Sequence, residues 1–136
     1  MLVGNGLGCS RFLELWAYFM RICRCAIPSR AINTWESAGG SPPPPGTTGL
    51  YHVAILYPTR AQLADALRRV LAAGIELDGA ADHGVSEALY LRDPDGNGVE
   101  LYWDRPQEQW PRAPDSGLGM FTRALDLDAL LAVQSR

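Results

Sequence analysis

The chain has no lysine: its positive charge comes from twelve arginines, set against fifteen acidic residues for a formal charge of −3 over 136 residues. No basic stripe is available to follow a phosphate backbone, so nucleic acid is not the expected partner. Cysteine is almost as scarce. Cys9, Cys23 and Cys25 all lie in the first quarter, far from the two histidines, His52 and His83. The CRC spacing at Cys23–Cys25 lacks the usual two-residue gap and has no second pair, which argues against a disulfide scaffold and against a cysteine–histidine zinc site. A reducing cytoplasm is the expected compartment. Long apolar runs are missing too. The stretch from Phe12 to Ile27 is broken by Glu14, Arg21 and Arg24, and no basic residue precedes Arg11, so neither a membrane span nor a secretory signal is expected.

What is present divides by composition. Residues 1–36 carry four arginines against two glutamates. Phe12, Trp16, Phe19 and Cys23 recur there at helical spacing, with Arg11, Glu14 and Arg21 on the other side, which predicts an amphipathic helix. Residues 37–49, SAGGSPPPPGTTG, have the composition of an extended polyproline spacer. Residues 50–110 read as one packed module, and residues 111–136 as a tail with a short helix. A chain of this length suits a single domain that buries roughly two thirds of the surface exposed when unfolded.

The middle zone is the most legible. LYHVAILY, Leu50 to Tyr57, is aromatic and β-branched enough for a strand, and alternation sets Leu50, His52, Ala54 and Leu56 opposite Tyr51, Val53 and Ile55. Thr59 and Gln62 form a capping box for a helix whose buried stripe is Leu63, Leu67, Val70 and Leu71, ended by Gly74. IELD, SEALYLR and GVELYWD follow as strands, the last two joined by the turn residues DPDGNG. In the tail, Leu125–Val133 is expected to be helical, capped by Asp126 or Asp128. On the last strand Glu100 shares a face with Gly98 and Tyr102. Taken alone, a strand glutamate or histidine is more often a solvated or packed residue than a ligand.

The run from His83 to Glu100 changes that balance. It reads histidine, five residues, Leu89-Tyr90, two residues, Asp93-Pro94-Asp95-Gly96, three residues, Glu100. This resembles the type I extradiol dioxygenase signature of the vicinal oxygen chelate superfamily, which also contains glyoxalase I and bleomycin-resistance proteins. Residues from about Thr47 to Trp110 are similar to its C-terminal module, with Ala81 a minor departure two residues before the histidine. The resemblance implies an α+β fold: one βαβββ module of the vicinal oxygen chelate fold, half of a paired-module barrel, with an N-terminal helix and a C-terminal helical tail. It also implies a divalent metal, Fe(II) or Mn(II) or another, bound by His52 and Glu100. His83 would be the acid or base acting on bound substrate, and Tyr90 a hydrogen-bond donor to a catecholate oxygen. A small catecholic substrate and dioxygen would be the partners, with no nucleic acid and no membrane.

Two imidazoles and a carboxylate on one face of iron leave open positions for catecholate and oxygen, and a histidine suits proton movement near neutrality. In the family the first metal-binding histidine comes from a preceding module, and residues 1–46 contain no histidine. The chain alone is therefore one ligand short. Four readings stay open: His83 as a substitute ligand, descent from a truncated or frame-shifted two-module enzyme, a homodimer with a glyoxalase-like isomerase site of two histidines and two glutamates, or a non-catalytic binding or vestigial module.

Overall fold

The computed structural model describes residues 40–41, 44, 46–47, 51–94, 96–114 and 117–134. The amphipathic helix expected within residues 1–36, and most of the proline-rich spacer, lie outside them.

Strand β1 (His52–Leu56) opens the module and leads into helix α1 (Arg60–Ala72). Thr59 is extended, with φ −138° and ψ 153°, and its hydroxyl accepts from the Gln62 amide at 3.2 Å. Gly74, at φ +67°, turns the chain out of the helix through the left-handed region that glycine enters without penalty. Leu63, Ala64, Ala66, Leu67 and Val70 are buried, whereas Leu71, expected in the same stripe, is 48% exposed. It lies in the last turn of the helix, about 80° round from Leu63.

Strands β2 (Leu77–Asp82), β3 (Ser86–Arg92) and β4 (Gly98–Asp104) complete the β-α-β-β-β order. The fold is α+β. The bounds of β3 and β4 coincide with SEALYLR and GVELYWD, but β2 runs past the expected IELD to take in GAAD. Gly, Ala and Asp are poor strand formers. Here the strand is made by its pairing: β2 lies between β3 and a short fifth strand, β5 (Arg123–Ala124), and its register shifts between Leu77 and Gly79. The sheet order is β1-β4-β3-β2-β5, with β1 parallel to β4 and the other neighbours antiparallel.

One sheet face carries the core. Ile55, Leu89, Leu91, Val99 and Leu101 pack against Leu63, Leu67 and Val70 of α1. Each fully buried leucine contributes about 1.5–3 kcal/mol relative to exposure. The tail helix α2 (Leu127–Leu131) is shorter than the expected Leu125–Val133; Asp126 caps it through the Ala129 amide at 2.9 Å. Its Leu130 joins the core, and Arg68 of α1 donates to the carbonyls of Leu131 and Val133. The Leu131 carbonyl is one that the helix itself leaves unsatisfied, and Val133 lies just past the cap. Among the described residues no helix is long and apolar enough to cross a membrane.

With α1 on one face, no helix among the described residues covers the opposite face of the central strands. On it stand His52 of β1, Glu100 of β4 and Tyr90 of β3.

Candidate metal and proton-relay site

Two pairings place these side chains. Tyr90 lies directly opposite Glu100 across the antiparallel β3–β4 ladder, and His52 lies beside Gly98 across the parallel β1–β4 ladder. The β3–β4 register is set by the turn. Asp93 accepts from the Asn97 amide at 2.8 Å and from its side-chain amide at 2.9 Å, while Gly96 turns at φ +84°. A one-residue slip would send Tyr90 or Glu100 to the other face.

At β1 the decisive residue is Gly98. A side-chain carbon there would sit 2.4 Å from the Tyr51 carbonyl oxygen and 3.0 Å from His52 Cβ. Its absence lets the two strands close and the imidazole reach Glu100 at an Nε2–Oε2 distance of 3.0 Å. Both side chains are part-buried, 31% and 16% exposed.

From Glu100 a chain of contacts runs across the sheet. Tyr90 donates its hydroxyl to Glu100 Oε1 at 3.2 Å, His83 Nε2 lies 2.9 Å from the Tyr90 oxygen, and His83 Nδ1 lies 3.1 Å from the Thr122 hydroxyl. Burial, then the charge of Glu100 and the hydrogen bond to it, push the Tyr90 phenol up to about 12. Tyr90 is accordingly a proton donor across the ordinary pH range. His83 sits in the β2–β3 turn, where Gly84, at φ +78°, donates its amide to Asp82 at 2.8 Å. Burial raises Asp82, yet that hydrogen bond and the Arg105 guanidinium outweigh it and hold the carboxyl below its usual value.

All four residues singled out in the sequence thus fall in one connected group: His52 touches Glu100, Glu100 touches Tyr90, and Tyr90 touches His83. Thr122 was not foreseen, since it stands 39 residues beyond His83 in a tail without a readable pattern. Glu87 was also missed. It points into the core face, 2% exposed, between Arg60 at 2.7 Å and Arg105 at 2.8 Å. Nothing in SEALYLR separates a buried, paired glutamate from a solvated one.

The His52–Glu100 pair suits a divalent ion chemically. One neutral imidazole nitrogen and one carboxylate oxygen are a mixed donor set for first-row metals, and 3.0 Å is the separation of two neighbouring ligands at bonds of roughly 2.1 Å. Among the described residues, no group of three or more His, Cys, Asp or Glu gathers at one point. They offer one nitrogen and one oxygen. A pocket of about 250 Å³ opens beside the pair, with Tyr51, His52, Tyr90 and the Asp78–Arg92 ion pair in its wall.

The family model described as "Glyoxalase/Bleomycin resistance protein/Dioxygenase superfamily" matches residues 26–101, more than half of the chain. The chain belongs to this superfamily. It is 52% identical over 89 residues to the catechol-2,3-dioxygenase of Bacillus subtilis (strain 168), covering 65% of this chain and 31% of that protein. Over 60 residues it is 47% identical to biphenyl-2,3-diol 1,2-dioxygenase 3 of Rhodococcus globerulus, covering 44% of this chain and 32% of that one. The chain thus spans about a third of the length of these curated superfamily relatives. Among solved structures, a glyoxalase/dioxygenase from Nostoc punctiforme aligns at 28% identity and a TM-score of 0.42, over 48% of this chain and 47% of that one.

Proposed function

We propose that this chain supplies one half of an extradiol-type dioxygenase site for small catecholic substrates. The observation that carries the reading is the connected group itself, in which a His–Glu donor pair 3.0 Å apart is joined through Tyr90 to a second histidine. The relatives named as catechol and biphenyl-diol dioxygenases support the substrate class. His52 and Glu100 would hold Fe(II) or Mn(II), which when bound supplies neighbouring open positions for a catecholate and dioxygen. The remaining steps belong to side chains. Tyr90, a protonated phenol, would turn its hydroxyl from Glu100 to a bound catecholate oxygen and orient that oxygen by donating a hydrogen bond to it. His83 takes or returns a proton at Nε2, the ring nitrogen that faces Tyr90. Domain limits of 1–36, 37–49, 50–110 and 111–136 belong to the same reading, as does completion of the metal shell by a donor from outside the described residues.

The test separates binding from turnover. Anaerobically purified full-length protein is titrated with Mn(II) and Fe(II), then supplied with catechol while oxygen uptake is followed. Metal binding and oxygen uptake are both expected to be lost in Glu100→Gln. Metal retained equally by Glu100→Gln and His52→Ala would refute the assignment of ligands. Turnover of a methylglyoxal–glutathione adduct with nickel or zinc, in place of oxygen uptake, would move the chain to the isomerases.

A further inference from the structure

The segment after β4 returns to the sheet and closes over the His83 turn. Phe121 donates its amide to the His83 carbonyl at 3.3 Å, and Arg123 pairs with Asp82 in the β2–β5 ladder. The Phe121 ring rests so close to Gly84 that a side-chain carbon at position 84 would lie 2.7 Å from Cε1. Between these anchors stands Thr122, its hydroxyl 3.1 Å from His83 Nδ1.

Proton counting then fixes the direction of each bond. A carboxylate only accepts, so the single hydroxyl proton of Tyr90 goes to Glu100. The Tyr90 oxygen must therefore accept from His83, which places an N–H on Nε2. In a neutral imidazole the other nitrogen is then a bare acceptor, and the group facing it is the Thr122 hydroxyl, which can donate.

We propose that Thr122 is a positioning residue: its hydroxyl donates to His83 Nδ1 and holds the imidazole as a single tautomer, with the Nε2 proton aimed at Tyr90. The proton that His83 would exchange with substrate is thereby kept on the side of the ring that faces the site. The ring is held at both nitrogens, so it neither flips nor changes tautomer between turnovers. Thr122 itself is exposed, and replacing it by valine removes the hydroxyl without opening a void in the core.

The assignment of Thr122 deepens the dioxygenase reading, but its test does not depend on metal or substrate. Long-range proton–nitrogen correlation spectra of metal-free protein report which ring nitrogen of each histidine is protonated. The wild type and Thr122→Ser are expected to show His83 protonated on Nε2 alone, with a hydrogen-bonded Nδ1. Thr122→Val is expected to lose that Nδ1 signature and give a mixture of tautomers, while the His52 signals stay unchanged and report an intact fold. Identical His83 signals in all three proteins, or a wild type protonated on Nδ1, would overturn the assignment. If oxygen uptake is established, the valine variant should lower kcat roughly tenfold with KM held and serine should restore it, in line with the loss typical of residues that orient a functional histidine. Failure of oxygen uptake would count against the dioxygenase reading and leave the tautomer result standing.

Discussion

Gly98→Ala is the most informative single change, because one methyl group tests both the strand packing and the donor pair. The new carbon would lie 2.4 Å from the Tyr51 carbonyl oxygen and 3.0 Å from His52 Cβ. A relaxed carbon–oxygen contact is about 3.3 Å or longer, so β1 must move by roughly an ångström. Backbone is on the receiving side of the closer contact, and no flexible side-chain end can swing away to absorb it. Overpacking of this kind costs about 1–3 kcal/mol. The displaced element carries His52, whose nitrogen lies 3.0 Å from Glu100. A shift of that size spoils the pair as a ligand set, and a drop of roughly tenfold or more in Mn(II) affinity is expected. Gly79 supplies the control, because a side-chain carbon there meets nothing within 4 Å. Gly79→Ala should be neutral or stabilising by about half a kcal/mol through reduced freedom of the unfolded chain. Urea unfolding reads the stability and Mn(II) titration reads the site. Equal stability and equal affinity in Gly98→Ala and wild type would refute the close-approach argument, as would equal damage from the two substitutions.

Other substitutions probe the remaining parts. Glu87→Gln should destabilise the fold by about 1–3 kcal/mol, since it weakens charge-assisted bonds to two arginines that are themselves only part-buried; an unchanged urea midpoint would remove Glu87 from the list of structural charges. Tyr90 has a folded-state value of about 12 against 10.0 in the free side chain. Its contribution is therefore complete below pH 10 and fades as pH rises towards 12, so wild type should lose more stability over that window than Tyr90→Phe, which keeps only the smaller loss from Tyr102, likewise raised by burial. A phenolate absorbance titration with all tyrosines ionising near 10 would contradict this.

Legibility in the sequence tracked how local the cause was. Strands β3 and β4 and their turn are specified by neighbours in the chain, namely alternating apolar residues around DPDGNG, and their limits could be read directly. The same locality made Tyr90 and Glu100 readable as partners, since the turn alone sets their register. His52 needed the family resemblance, because its pairing with β4 joins residues far apart in sequence. Strand β2 was mislocated because GAAD has no strand signature and is extended only through its neighbours on both sides. The two unforeseen residues share one reason. Glu87 is made structural by Arg60 and Arg105, and Thr122 is brought to His83 by the returning tail, so each acquires its role from chain folded in from elsewhere.

Among the described residues, strand β1 is the sheet's edge and pairs with β4 alone, in parallel. Detaching it leaves the β4-β3-β2-β5 pairings in place, so local opening there requires less than global unfolding. A cation gripped between His52 and Glu100 would act as a clasp on that hinge-like margin, protecting β1 amides from exchange as its concentration rises and leaving β3 amides unchanged. Peeling and loading are thus opposed events at one seam.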